Sequence, residues 1–189
     1  MPMSRAYLES FRDKTIEPTV GPGLRLLLVG INPGLWTAAT GAPFARPGNR
    51  FYPALAAAGI LDRVIDASEG LRAADRQHLI NRGVGITSLV ARATSRADEL
   101  SAEEYRAGAA LLTERVTEWR PRVVAILGIG AYRTGFGMPK AVPGRQPVRI
   151  ADAELWVVPN PSGLNAHESL ATLAAAYREP ALAAGIALL

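Results

Sequence analysis

Four short strand-like runs, each bounded by glycine or proline, constrain this chain more than any other feature. They are LRLLLVG (24–30), GVGITSLV (83–90), RVVAILG (122–128) and ELWVVPN (154–160). A strand with one wet face alternates polar and apolar residues, whereas a continuous apolar run is a strand buried on both faces. Helix-like segments lie between the runs. NRFYPALAAAGI (49–60) reads as a helix with Asn49 as its N-cap and Gly59 as its stop. SAEEYRAGAALLTERVTEWR (101–120) has a capping box, Ser101 with Glu104, and ends before Pro121. HESLATLAAAYRE (167–179) reads as a last helix stopped by Pro180. The first 23 residues or so read as a short helix followed by an extended lead-in, TIEPTVGPG. Strands alternating with helices predict an α/β fold: a mainly parallel sheet with helices on both faces.

Composition narrows the choice. The 189 residues, 49% of them hydrophobic, fill one compact domain and hardly two. The expectation is one domain over 1–189, with 1–23 as an N-terminal extension. There is no cysteine, which excludes a disulfide framework, a thiolate nucleophile and cysteine-ligated zinc. His78 and His167 are the only histidines, a poor supply for a metal site or a hydrolase triad. The N-terminus lacks an apolar signal core, and no run approaches the length of a membrane span. These features predict a soluble cytoplasmic protein with no membrane partner. The net charge is +4, carried almost wholly by arginine, whose planar fork suits phosphate. That balance is compatible with nucleic acid, and equally with an ordinary alanine- and arginine-rich composition.

In sheets of this kind, ligands bind outside the carboxyl ends of the strands. The first run leads into Asn32-Pro33-Gly34. The fourth leads into Pro159-Asn160-Pro161-Ser162-Gly163-Leu164-Asn165. Both are polar loops stiffened by proline, and both are expected on one rim. Such a rim offers backbone N–H groups and asparagine amides rather than an acid/base pair. Other chemistries fit poorly. Gly128-Ile129-Gly130 is followed by Arg133 where a dinucleotide loop needs a third glycine. No phosphate-binding P-loop occurs. The pairs Glu103-Glu104 and Asp98-Glu99 stand at helix starts, where carboxylates cap. His78 belongs to a surface turn or helix, and His167 to the start of the last helix, as a cap or a phosphate neighbour.

GINPG (30–34), TGAPFARPGNRF (40–51) and NPSGLN (160–165), in this order, resemble the mismatch-specific uracil/thymine DNA glycosylase family of the uracil-DNA glycosylase superfamily. The resemblance runs from Gly23 to about Tyr177 and includes ILG (126–128) and AYRE (176–179). It implies a three-layer α/β/α sandwich with a short, mainly parallel central sheet. It also implies hydrolysis of the N-glycosidic bond of a base, typically uracil opposite guanine, flipped out of double-stranded DNA. Single-stranded DNA is a further candidate substrate. No metal or other cofactor is implied, and a monomer associated with the nucleoid is the default.

Residue roles follow from the same resemblance. Asn32 would hold the attacking water through its amide oxygen, orienting it without taking its proton. Ile31, Pro33, Gly34, Thr37, Phe44 and Asn160 would form the base pocket, with Phe44 stacking on the base. Backbone N–H groups around Ile31–Gly34 would meet the charge on the departing uracil, one such donor being worth about 3 kcal/mol. Leu164 would be the wedge that fills the gap in the helix, flanked by Gly163 and Asn165 at the widowed guanine. Ser162, Arg46, Arg92 and Arg96 are candidate phosphate contacts, the arginines equally readable as solvated surface. Asn49-Arg50-Phe51 reads as a cap, a surface or phosphate-facing arginine, and a core ring. Two positions depart from the family pattern: Ser88 and Ala166 stand where relatives often carry lysine and arginine. The competing readings are a weak binder of mismatched or abasic DNA and a nucleoside hydrolase, in which Leu164 would have no purpose.

Overall fold

The computed structural model describes residues 3–189. Its elements, in chain order, are α1 (Arg5–Glu9), β1 (Leu26–Gly30), α2 (Leu35–Thr40), α3 (Phe51–Ala57), α4 (Ala73–Asn81), β2 (Val84–Ser88), α5 (Ala102–Trp119), β3 (Val123–Leu127), α6 (Ile129–Gly135), β4 (Gly144–Ile150), β5 (Ala153–Val158) and α7 (Leu170–Ala183), with one 3-10 turn at Ala97–Glu99. The five strands form one sheet in the order β2-β1-β3-β5-β4. The first four run parallel, and β4 is antiparallel to β5.

The four expected strands are present and their apolar runs are explained by burial on both faces. Along β1, Leu26 and Leu28 face a core shared with α3 and α7, while Leu27 and Val29 face a second core shared with α5 and α6. All four are fully buried. The result is the expected three-layer α/β/α arrangement. Because β1, β2, β3 and β5 are parallel, the loops leaving them share one rim. There the two Asn-Pro loops meet.

Three elements, β4, α2 and α6, are absent from the sequence reading, and two boundaries differ. The strand β4, GRQPVRI, is polar and contains Pro147. An edge strand needs only one apolar face and one row of hydrogen bonds, so proline is tolerated there; a register shift falls between Arg145 and Arg149. The short helices α2 and α6 lack a long apolar period; α4 carries His78, which the sequence placed in a surface turn or helix. Helix α3 starts at Phe51 after Arg50, and the Asn49 side chain accepts from Phe51 N–H at 2.9 Å. Helix α7 starts at Leu170 behind Ser169, which caps through Thr172 N–H. His167 is exposed before that cap, so its expected place at the helix start is corrected. Pro180 does not stop α7 but lies buried inside it, and the chain stays helical to Ala183. Proline costs one backbone hydrogen bond, and here its ring packs in the core instead. Among the described residues no helix is long and apolar enough to cross a membrane.

Candidate active site

Asn32 is fixed by one half of its amide. Beyond β1 the chain turns through Ile31–Gly34 into α2, and the loop after β2 laces onto that turn. Leu89, Val90 and Thr94 N–H groups donate to the carbonyls of Gly30 (2.8 Å), Ile31 (2.9 Å) and Pro33 (3.1 Å). This brings three acceptors to Asn32 Nδ2: Thr94 Oγ1 at 2.8 Å, the Arg92 carbonyl at 3.0 Å and the Pro33 carbonyl at 3.2 Å. Thr94 donates its own proton to the Arg96 carbonyl at 2.8 Å, so it faces Asn32 as an acceptor. A reversed amide would set its oxygen against three acceptors. The orientation is therefore determined, and Oδ1 accepts no hydrogen bond from the described residues. A fixed, unengaged amide oxygen can hold a water. It cannot take that water's proton at neutral pH.

Asn32 lines a cavity of about 170 Å³. Ile31, Pro33, Gly34, Thr37, Phe44, Arg46, Asn160 and Ser162 line it too, so the whole expected base pocket converges with two of the four expected phosphate contacts. Asn49, Ser88 and Ile16 also line it; the sequence reading gave none of them a place there. No Asp, Glu, His or Lys is among its lining residues. The N–H groups of Ile31, Asn32 and Gly34 donate to no acceptor among the described residues, which leaves them free for a ligand's carbonyl oxygens. Half-buried Phe44 stacks on buried Phe51, with centroids 3.9 Å apart and planes 18° from parallel. Phe44 has a backbone φ of +57°, an expensive region for a residue with a side chain. Its ring lies over Gly30, where an added Cβ would come within 3.0 Å of Cζ. Glycine at the end of β1 therefore leaves room for the edge of the ring.

The second loop hangs on one side chain. The Arg50 guanidinium donates to the carbonyls of Ser162 (2.7 Å), Asn165 (2.8 Å) and Glu168. The Arg50 N–H donates to the Pro161 carbonyl at 3.0 Å. The expected surface or phosphate-facing role of Arg50 is thus corrected: it is a half-buried clamp. Inside the loop, Asn160 Oδ1 accepts from Ser162 N–H at 2.8 Å, and Asn165 Nδ2 donates to the Asn160 carbonyl at 3.0 Å. At Gly163 an added Cβ would lie 2.7 Å from the Gly48 carbonyl, so the loop presses on the 40–51 segment. From this frame Leu164 projects with 80% of its surface exposed. Buried Tyr177 supports the loop's root by donating to the Pro159 carbonyl at 2.8 Å, and burial pushes its phenol well above its ordinary range.

The expected phosphate contacts separate into two groups. Arg46 is exposed on the cavity's lining, and Ser162 is beside it. Arg92 and Arg96 are not on that lining. Arg92 is engaged by Glu104 and Asp13 and donates to the Glu99 carbonyl. This guanidinium, together with the Ser101 N–H, holds the Glu104 carboxyl down at about 2. Arg96 pairs with Asp98 at 2.7 Å. What the site takes from Arg92 is its carbonyl, on Asn32. Neither that contact nor Thr94 had a signal in the sequence. A more open depression of about 520 Å³ flanks the other side of Ile31 and Asn160, around Gly128–Ala131 and Glu168. Asn32 is not among its lining residues. No group of three or more potential metal ligands occurs among the described residues.

Comparison with known proteins bears on the fold and the family. A solution NMR structure from Methanosarcina acetivorans, described as a candidate uracil DNA glycosylase, superposes with a TM-score of 0.60 at 15% sequence identity; the match covers 88% of this chain and 97% of that one. At that identity the likeness establishes the shared fold. The family model of the uracil DNA glycosylase superfamily matches residues 18–183. The chain therefore belongs to the uracil DNA glycosylase superfamily.

Proposed function

We propose that this DNA glycosylase is a mismatch-specific enzyme. It removes uracil, typically opposite guanine, and leaves an abasic site. The observation that carries the reading is the Asn32 amide: its NH2 is tied to three acceptors while its oxygen is left free in the cavity. The flipped base stacks on Phe44, and its carbonyl oxygens take the free N–H groups of the Ile31–Gly34 turn. Water on Asn32 Oδ1 is aimed at the sugar C1′. The C1′–N bond breaks, its electron pair leaves with the base, and the water oxygen bonds to C1′. The water's proton passes to the departing base or to solvent. Donors preorganised towards the leaving base are the main source of rate, because no carboxylate or imidazole lines the cavity to strip the water. The only lysines, Lys14 and Lys140, are also absent from that lining, so hydrolysis without strand cleavage is the expected outcome.

Leu164 fills the space of the extruded nucleotide, and Gly163 and Asn165 meet the orphaned guanine. Arg46 and Ser162 hold phosphate beside the cavity. In this reading the enzyme works in the cytoplasm, on chromosomal DNA, as a monomer needing no cofactor, so activity survives chelator. The test is an abasic-site cleavage assay on oligonucleotides with uracil opposite guanine, uracil opposite adenine, single-stranded uracil, or thymine opposite guanine. Abasic product is expected at least from uracil opposite guanine. All four substrates left intact at stoichiometric enzyme would overturn the reading.

A further inference from the structure

The cavity has a wall that the superfamily match leaves out. The match begins at residue 18, yet Ile16 lines the cavity. The segment carrying Ile16 is pinned on both sides. Asp13 N–H donates to the Ala93 carbonyl at 2.9 Å, and Ala93 N–H to the Lys14 carbonyl at 2.8 Å. Further on, Thr19 and Ile86 exchange backbone bonds of 2.9 and 2.8 Å, with Thr19 buried. Ion pairs from Asp13 to Arg92 and from Arg12 to Glu99 add to the first anchor. That anchor lies on the loop that holds the Asn32 amide.

Behind the cavity lies a second, small one of about 30 Å³. Ile16, Pro33, Pro43 and Ser88 line both and so form the partition. Two are fixed rings and Ser88 is small. Ile16 is the one aliphatic chain of the partition whose truncation joins the two spaces. Its branched Cβ leaves it stiff between its anchors.

We propose that Ile16 is a specificity-determining residue: the N-terminal arm, residues 12–19, closes the back of the base cavity, and Ile16 limits the size of base admitted. The proposal rests on the glycosylase reading. Shortening Ile16 gives a bicyclic base room and takes apolar contact from uracil. One methylene in an apolar pocket changes discrimination by roughly 10- to 200-fold.

The experiment compares kcat/KM for uracil and for etheno-bridged cytosine, each opposite guanine, in the full-length protein and its I16A, I16V and I16F variants. Thermal melting reports folding. The ratio of etheno-bridged cytosine to uracil should rise about tenfold or more in Ile16→Ala, rise less in Ile16→Val, and fall in Ile16→Phe. If Ile16→Ala does not fold, Ile16→Val alone carries the direction. An unchanged ratio in the folded variants, with wild type active on uracil, overturns the role of Ile16 and leaves the glycosylase reading standing. A wild type inactive on every base overturns both.

Discussion

The two Asn-Pro loops of the rim look alike in sequence and are held in opposite ways. The turn at Ile31–Gly34 lines the cavity, and neighbouring backbone fixes it through the loop after β2. The loop at Asn160–Asn165 is at the surface, and one guanidinium from another segment fixes it. The first holds the Asn32 amide still on the cavity lining. The second keeps its root still and leaves its tip, Leu164, in water. A positioned water tolerates little misplacement. A wedge needs only a stiff base and an apolar end.

The contrast can be broken at either loop. The largest effect is expected for Asn32→Ala, which removes the water's acceptor without touching the backbone lacing. A loss of roughly 10²–10³-fold in kcat on uracil opposite guanine is expected, with a fall in stability of about 1 kcal/mol from the acceptors on Thr94, Arg92 and Pro33 that lose their donor. Arg50→Ala should reverse that pattern. Three carbonyls lose a charged donor, and a bond of that kind contributes about 1.5–3 kcal/mol. Stability in urea titration should fall by about 3 kcal/mol, and duplex activity should fall with it. Lysine at position 50 should not restore it, since an ammonium cannot span three carbonyls as a planar fork does. Leu164→Ala sharpens the comparison further. Burying a leucine is worth about 1.5–3 kcal/mol, so duplex substrate should lose about tenfold while single-stranded uracil loses much less. Equal loss on both would remove the wedge assignment.

The smallest effect concerns acid. The Glu104 carboxyl is held at about 2, from an ordinary value of 4.5, chiefly by the Arg92 guanidinium. A lowered carboxylate stabilises the fold above its unfolded pKa, and that contribution fades as pH falls through the folded one. The melting temperature should therefore drop between about pH 4.5 and pH 2, and Glu104→Gln should flatten that drop. A variant with the same slope as wild type would sever the link between this pair and the loop over Asn32.

What was legible in the sequence, and what was not, divides along the same line. The strands β1, β3 and β5 announce themselves because burial on both faces leaves no polar alternation. The rim loops follow from where those runs stop. Asn32, Phe44 and Leu164 each stand in a contiguous motif that could be read locally; the first two line the cavity, and the third is the exposed tip of the second loop. The supports of the site could not. Thr94 and the Arg92 carbonyl reach Asn32 through space, across some sixty residues, and a carbonyl has no residue type to betray it. Arg50 was visible, but what its guanidinium grips was set by a loop more than a hundred residues on. The edge strand β4 was hidden by its polarity and Pro147, and Pro180 obeyed its buried surroundings rather than the local rule against proline in helices. Ile16 stands in a terminal extension whose fixed points lie elsewhere in the chain, so its place on the cavity has no local signal.

In the proposed mechanism an amide aims the water and no group in the cavity deprotonates it. The pH dependence of single-turnover cleavage of uracil opposite guanine tests this most directly. For the wild type the account predicts a rate nearly flat from about pH 5 to 8, the range in which an imidazole or a perturbed carboxylate would titrate. Asn32→Asp should introduce a rising limb at the pKa of the new carboxylate. A wild-type rate that climbs about tenfold per pH unit across part of that range would reveal a general base and contradict the account.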